Sequence, residues 1–421
     1  MKRVLIISPY FPPANAADMQ RVRMSLSYFK NFGWDCEVVA VDDQFVHIEK
    51  DPLLLETIPG DIKIHKIPAR NKSGIMGGIA FRSMRSYRKS VSNLLAASHF
   101  DLIYFSTTQF PLCALGAFWK RKFNVPYVID MQDPWYTGRY QNTERKNFKF
   151  RFVYALHKLL ERRAMMQVDS LTSVSQKYLD DLMAAYPRLK TTPQAVIPFG
   201  ANQKDFDIAT KYAGEFDGLL GTSTKNIVYI GRGGEDLHPA IKPLFEALKG
   251  LPDIPIKLYF IGTSYFTERE AELPISKLAK QHGVEQNVVE LPKRIGYFHT
   301  LNILQKADAL FIPGSDHRGY NASKIHPYII SGRPVLAIVN ADSPAMLILR
   351  EYNVQQVFSY DDISIVESVK KFLIRVADGS LETPVYNYST IKKYSAESLA
   401  KQQCELFEAT IKQKANQFSS K

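Results

Sequence analysis

The sequence is sparing with cysteine. Its three cysteines, Cys36, Cys113 and Cys404, are far apart and odd in number. They form neither a disulfide framework nor a metal-ligand cluster, and they imply a reducing compartment. Long apolar runs are missing too. No segment approaches about 18 uninterrupted apolar residues, so none is expected to span a bilayer. The richest stretch, residues 102–119, is broken by Ser-Thr-Thr-Gln and by Pro111. The opening MKRVLIISPYFPP carries too short an apolar segment before Pro9 for a signal peptide, and VLIIS suits a first buried strand better. The nine histidines show no His-Glu-x-x-His spacing, and there is no Gly-x-Ser-x-Gly elbow. Metal-assisted and serine hydrolysis therefore have little support. Internal repeats and low-complexity tracts are absent as well.

What is present is a chain of 421 residues, 45% hydrophobic and 23% charged, which suits a soluble globular enzyme of two domains. Lysine and arginine number 54 against 42 acidic residues, a formal charge of +12. Such a balance favours anionic partners: nucleic acid, phosphorylated small molecules or an anionic membrane face.

Short apolar runs alternate with helical patterns. VLIIS (4–8), CEVVAV (36–41), DLIYFS (101–106) and PYVID (126–130) predict strands. Met19, Val22, Leu26 and Phe29 recur at helical spacing within 18–32, and Gly33 marks a stop. After a polar stretch at 203–224, NIVYIG, IKLYFIG, VVEL, ADALFIP and PVLAIV predict a second strand series. Alternation of this kind means parallel sheets covered on both faces. Two series in tandem predict two doubly wound α/β domains facing a cleft, with ligands at the carboxyl ends of strands. The amphipathic pattern at 395–421, with Leu399, Cys404, Phe407 and Ile411 on one side, requires a surface to pack on.

Four motifs bear on chemistry. IVYIGRGGED (227–236) runs from a strand into a glycine-rich turn. There Gly231 and Gly233 would let backbone amides approach a phosphate, and Arg232 would add a positive fork. A tight turn with a solvated arginine explains the same residues, and neither the dinucleotide nor the P-loop spacing is met. In NASKIHPYIISGRP, Lys324 stands beside a helix start. If Ser323 caps the helix, Pro327 falls at the fourth helical position and costs a bond; if His326 caps it, Pro327 takes the favoured first position. VPYVIDMQDPWYTG places Asp130, Gln132 and Asp133 after a buried strand, where a carboxylate orients sugar hydroxyls or works as a base, or where Asp-Pro simply starts a turn. Residues 78–95 and 144–163 mix arginine and lysine with aromatic residues, as a solvated face or an anionic membrane contact would. No nucleic-acid motif accompanies them.

Taken in order, SPYFPPANAADMQRVRMSLSYFKNFGWDCEVVAV, IDMQDPW, VIPFGAN, IVYIGRGGED and SKIHPYIISGRPVLAIV resemble the family 4-like glycosyltransferases of the GT-B fold across nearly the whole chain. The resemblance implies two Rossmann-like domains. Residues 1–200, joined by the final helix at 395–421, would face a saccharide acceptor, and 201–394 would hold a nucleotide-diphosphate sugar. It implies a retaining hexosyl transfer with no metal or other cofactor, the leaving diphosphate being neutralised by side chains. Arg232 matches the diphosphate arginine, and His238 stands where a lysine is usual. Asp133 and Gln132 occupy the places of a catalytic His-Asp pair. Ala16 and Ala17 replace the glycines of the first loop, which Arg21 follows. The paired glutamates of the family fall at Gly319 and Pro327, leaving Tyr320, Asn321, Ser323 and His326 beside Lys324 to read the donor. The acceptor is expected to be lipid-linked, in cell-surface polysaccharide synthesis, with the protein cytoplasmic and peripheral at the membrane. A nucleotide-sugar epimerase of the same fold and a degenerate GT-B binding protein are the alternatives.

Overall fold

The computed structural model describes residues 1–71, 77–135, 148–264, 273–315 and 324–419. Contacts divide the chain into two compact units, Met1–Phe199 with Ala396–Lys421, and Gly200–Ser395.

The first unit is built on β1 (Lys2–Ile7), β2 (Trp34–Val41), β3 (Lys63–Ile67), β4 (Leu102–Ser106), β5 (Tyr127–Met131), β6 (Ser170–Ser173) and β7 (Gln194–Val196). They form one sheet in the order β3-β2-β1-β4-β5-β6-β7, and every pair is parallel. The helices α1 (Met19–Leu26), α2 (Ile79–Ala97), α3 (Ala114–Phe123), α4 (Phe148–Met165) and α5 (Gln176–Ala185) connect them. The helix expected over 18–32 is shorter than its pattern. It stops at Leu26, a 3-10 turn spans Phe29–Phe32, and Gly33 ends that turn at φ 82° in the left-handed region. The apolar spacing survives the break, so Val22, Leu26 and Phe29 still pack on Val4, Ile6 and Val38.

The second unit carries β8 (Lys225–Ile230), β9 (Ile256–Ile261), β10 (Val288–Leu291), β11 (Ala309–Pro313), β12 (Val335–Val339) and β13 (Gln356–Ser359). Their order is β10-β9-β8-β11-β12-β13, again parallel throughout. The intervening helices are α6 (Gln203–Lys211), α7 (His238–Lys249), α8 (Pro274–His282), α9 (Tyr297–Lys306), α10 (Ile325–Ile330), α11 (Pro344–Glu351), α12 (Ile365–Ala377) and α13 (Tyr388–Lys393). Ile227, Leu258, Phe260, Phe311 and Leu336 face α7 and α12 in one core.

The last helix, α14 (Ala396–Ser419), packs on the first unit. Its Ala400, Cys404, Phe407 and Ile411 join the core under β1, β2 and β4. Phe407 meets the rings of Trp34 at 5.2 Å, Tyr104 at 5.0 Å and Phe29 at 6.0 Å. No helix among the described residues is long and apolar enough to cross a membrane.

Candidate functional site

Each sheet reverses its strand order once, between β1 and β4 in the first unit and between β8 and β11 in the second. Loops leaving such neighbouring strands diverge to opposite faces, opening a crevice at the strand ends. In both units an aspartate ties the two loops together. Asp18, after β1, accepts from Thr107 Oγ1 at 3.0 Å and from the Thr108 amide at 3.0 Å, both after β4. Asp236, after β8, accepts from Ser315 Oγ at 2.7 Å, after β11.

In the second unit the end of β8 becomes a cluster of positive charge. Arg232 grips Asp236 through both guanidinium nitrogens, at 2.6 and 2.5 Å, so its fork is held rigid. That hydrogen bonding keeps the Asp236 carboxyl down at about 2. Lys324 reaches the same place from α10. Its ammonium donates to Ile230 O at 3.2 Å and Tyr229 Oη at 3.1 Å, and lies 4.5 Å from the Tyr229 ring centre. One turn along α10, Tyr328 Oη accepts from the Ile230 amide at 2.8 Å. Lys324 and Tyr328 therefore dock one face of α10 on the last residue of β8. Gly231 makes this approach possible, since a methyl group there would overlap the Lys324 ammonium and stand 2.8 Å from Tyr229 Oη. At Gly233 a methyl would lie 2.8 Å from Thr263 Cβ.

Desolvation lowers Lys324 from the ordinary lysine value to about 7, and the charges of Arg232 and Arg294 push it the same way. Arg232 and Lys324 thus meet at the carboxyl end of β8, and Arg294, against Gly262 just after β9, adds its charge. Arg294 escaped the sequence reading. It follows β10, far along the chain from the other two, and the only trace was a basic Pro-Lys-Arg placed straight after a strand.

The start of α10 differs from both cap expectations. Lys324 is the N-cap and Ile325 the first helical residue, so Pro327 is third. The first intrahelical bond runs from the Tyr328 amide to Lys324 O at 3.2 Å. Pro327 precedes that donor and removes nothing. His326 is 2% exposed; its Nδ1 pairs with Tyr352 Oη at 2.8 Å and its ring lies 4.6 Å from that of Tyr394. Burial drives its imidazole down to about 4. Tyr320, Asn321 and Ser323 lie outside the described residues. His238, first residue of α7, lines a cavity of about 580 Å³ with Glu235, Lys277 and Gln281, and burial holds it below the usual histidine value.

In the first unit Arg21 and Asp130 form a buried ion pair, Nε to Oδ2 at 2.6 Å. Arg21 also donates to Ile197 O at 2.6 Å and Pro198 O at 3.3 Å, fixing the chain that leaves β7. Gln132 donates to Asp130 Oδ2 at 2.8 Å, Ser106 Oγ at 3.2 Å and Asp18 O at 3.2 Å. Burial raises the Asp130 carboxyl, and Arg21 and Gln132 pull it partly back. Asp130 Oδ1 and Gln132 Oε1 are buried with no hydrogen-bond partner among the described residues. Asp133 is exposed, its carboxyl raised by partial desolvation and by Asp18. Ala16 is buried and Ala17 exposed in the loop before α1. Among the described residues no three His, Cys, Asp or Glu side chains gather as a metal site.

Two Rossmann-like α/β units in tandem, each with a tied crevice at its strand ends, define the GT-B class of proteins. Residues 20–200, most of the first unit, match the model of the glycosyl transferase 4-like domain. No curated protein sequence matches the chain. Among solved structures it is similar to sucrose-phosphate synthase from Thermosynechococcus elongatus, with 15% identity, 100% of this chain and 98% of that one covered, and a TM-score of 0.58. It is similar to HepE of Anabaena in complex with UDP, with 15% identity, both chains covered to 100%, and a TM-score of 0.53. The UDP-GlcNAc 2-epimerase from Methanocaldococcus jannaschii shares 10% identity over 97% of this chain and 100% of that one, with a TM-score of 0.55.

Proposed function

We propose that the protein is a retaining glycosyltransferase that moves a hexose-type residue from a nucleotide-diphosphate sugar, held by the second unit, to a saccharide acceptor at the first. The observation that carries this reading is that Arg232, held by Asp236, and Lys324, bonded to Ile230 O, meet at the end of β8. As the bond between the sugar and the diphosphate breaks, negative charge builds on the leaving phosphate. Preorganised cations in a desolvated place stabilise that charge more than water would. Arg232 arrives already oriented by Asp236, and Lys324 takes up a proton as the diphosphate enters. No metal is needed for this neutralisation. In the first unit Asp133, exposed at the end of β5, and Gln132 beside it orient the transferring sugar or the acceptor. The excess of positive charge fits a lipid-linked acceptor, as in cell-surface polysaccharide assembly.

The experiment is donor binding and turnover in Arg232→Ala and Lys324→Ala. Each loses about 10- to 100-fold in affinity for a nucleotide-diphosphate sugar, the worth of one charge-assisted contact. Unchanged binding in both would remove the site. The epimerase-like fold favours a second reading, in which the sugar is inverted on its nucleotide. Incubation without acceptor separates the two: an epimerase turns the donor over fully, and a transferase hydrolyses it slowly at most.

A further inference from the structure

Helix α4 turns an apolar stripe to solvent. Phe152 is 53% exposed, Leu159 64%, and Met166, just past the helix end, 46%. With Ala155 and Arg162, both exposed, they recur at steps of three and four and so share one face. The opposite face is anchored, with Ala164 and Met165 buried in the first unit and Leu160 packed against its core. Isolated exposed apolar residues are ordinary, but a continuous stripe along one helix marks a surface that meets something.

The charges around the stripe say what it meets. At about 100° per residue, Arg151 and Lys158 fall along one edge and Arg163 along the other, and all are exposed. The acid of this stretch, Glu161, points inward, 5% exposed, and accepts from Tyr186 Oη at 2.9 Å. On the anchored face, Phe81 of α2 packs edge-on against His157 at 5.7 Å and helps fix the helix in place. A second copy of the chain would have to bring all these like charges together. An apolar centre with basic edges, and no exposed acid among the described residues of α4, complements the head-group region of an anionic bilayer, where apolar side chains enter and cations meet lipid phosphates. The helix is also tied to the strand end carrying Asp133, because Trp135 Nε1 donates to His157 Nδ1 at 3.1 Å.

We propose that the exposed face of α4 is a docking surface for an anionic membrane, with Phe152, Leu159 and Met166 entering the interface and Arg151, Lys158, Arg162 and Arg163 pairing with lipid phosphate. Docking then holds the end of β5 at the membrane surface, within reach of an acceptor carried by lipid. The inference goes beyond sugar transfer, and it is tested without any sugar nucleotide.

The test is flotation of the full chain with phosphatidylcholine vesicles, with and without phosphatidylglycerol. The protein floats with the anionic vesicles and stays behind with the zwitterionic ones. The double variant Phe152→Ser, Leu159→Ser lowers partition about tenfold or more. Lys158→Gln and Arg162→Gln lower it about fivefold each, an effect that added salt erases. These positions are exposed, so thermal stability and nucleotide-sugar binding stay at the wild-type level. Equal partition to both vesicle types, or a wild-type dimer that Phe152→Ser dissociates, would overturn the proposal.

Discussion

In the proposed transfer, Lys324 is the residue on which donor binding turns. The free protein holds its ammonium near the point of losing its proton, at about 7. A bound diphosphate favours the charged form, so the bound value rises and binding takes up a proton wherever the pH lies between the two values. Affinity for a nucleotide-diphosphate sugar is therefore highest below pH 7 and falls as the pH rises above it. Calorimetry in buffers of different ionisation heat reads the proton uptake directly, and Lys324→Met loses both the uptake and the slope. The same depressed value means that stability increases with pH from about 7 towards the ordinary lysine value, since the unfolded chain binds the extra proton there. A lysine beside a helix start was legible in the sequence. Its burial against Tyr229 and its repulsion by Arg294 were not, because they come from a strand and a loop distant along the chain. Pro327 was legible as an oddity, but its harmlessness depends on the helix starting at Ile325, a matter of one residue.

At the scale of elements, the buried central strands read most clearly, and of the four margin strands only β10 showed itself as a run, VVEL. Leu102–Ser106 and Val335–Val339 are fully buried and announce themselves as apolar runs. Three strands that no apolar run announced, β3, β7 and β13, lie at the margins of their sheets. They are partly exposed, so polar residues such as Lys63, His65, Gln194 and Gln356 interrupt their pattern. The apolar side of α14 was equally legible, and the structure supplies its partner. Phe407→Ala there is expected to destabilise the first unit by about 3–5 kcal/mol, read as a lower midpoint in denaturant, because its three ring neighbours cannot close the gap. Arg21→Ala leaves the Asp130 carboxylate buried and unpaired, an expected loss of about 3–5 kcal/mol by the same measurement. The resemblance placed Arg21 in a ligand loop; the structure gives it three partners inside the first unit.

For the whole molecule, two parallel sheets with tied switch points and a surplus of positive charge are parts of one account. Each unit ties its switch point with an aspartate, the second beside Arg232 and Lys324 and the first beside Asp130 and Gln132. Such a division suits a reaction with two substrates, one of them a diphosphate. The most direct measurement is calorimetric titration of the wild-type chain and of Arg232→Ala with a panel of UDP-, GDP- and ADP-sugars. The account predicts that one nucleotide series binds the wild type and that Arg232→Ala weakens it about 10- to 100-fold. Equal affinity in the two proteins, or no binding by any member of the panel, would contradict it.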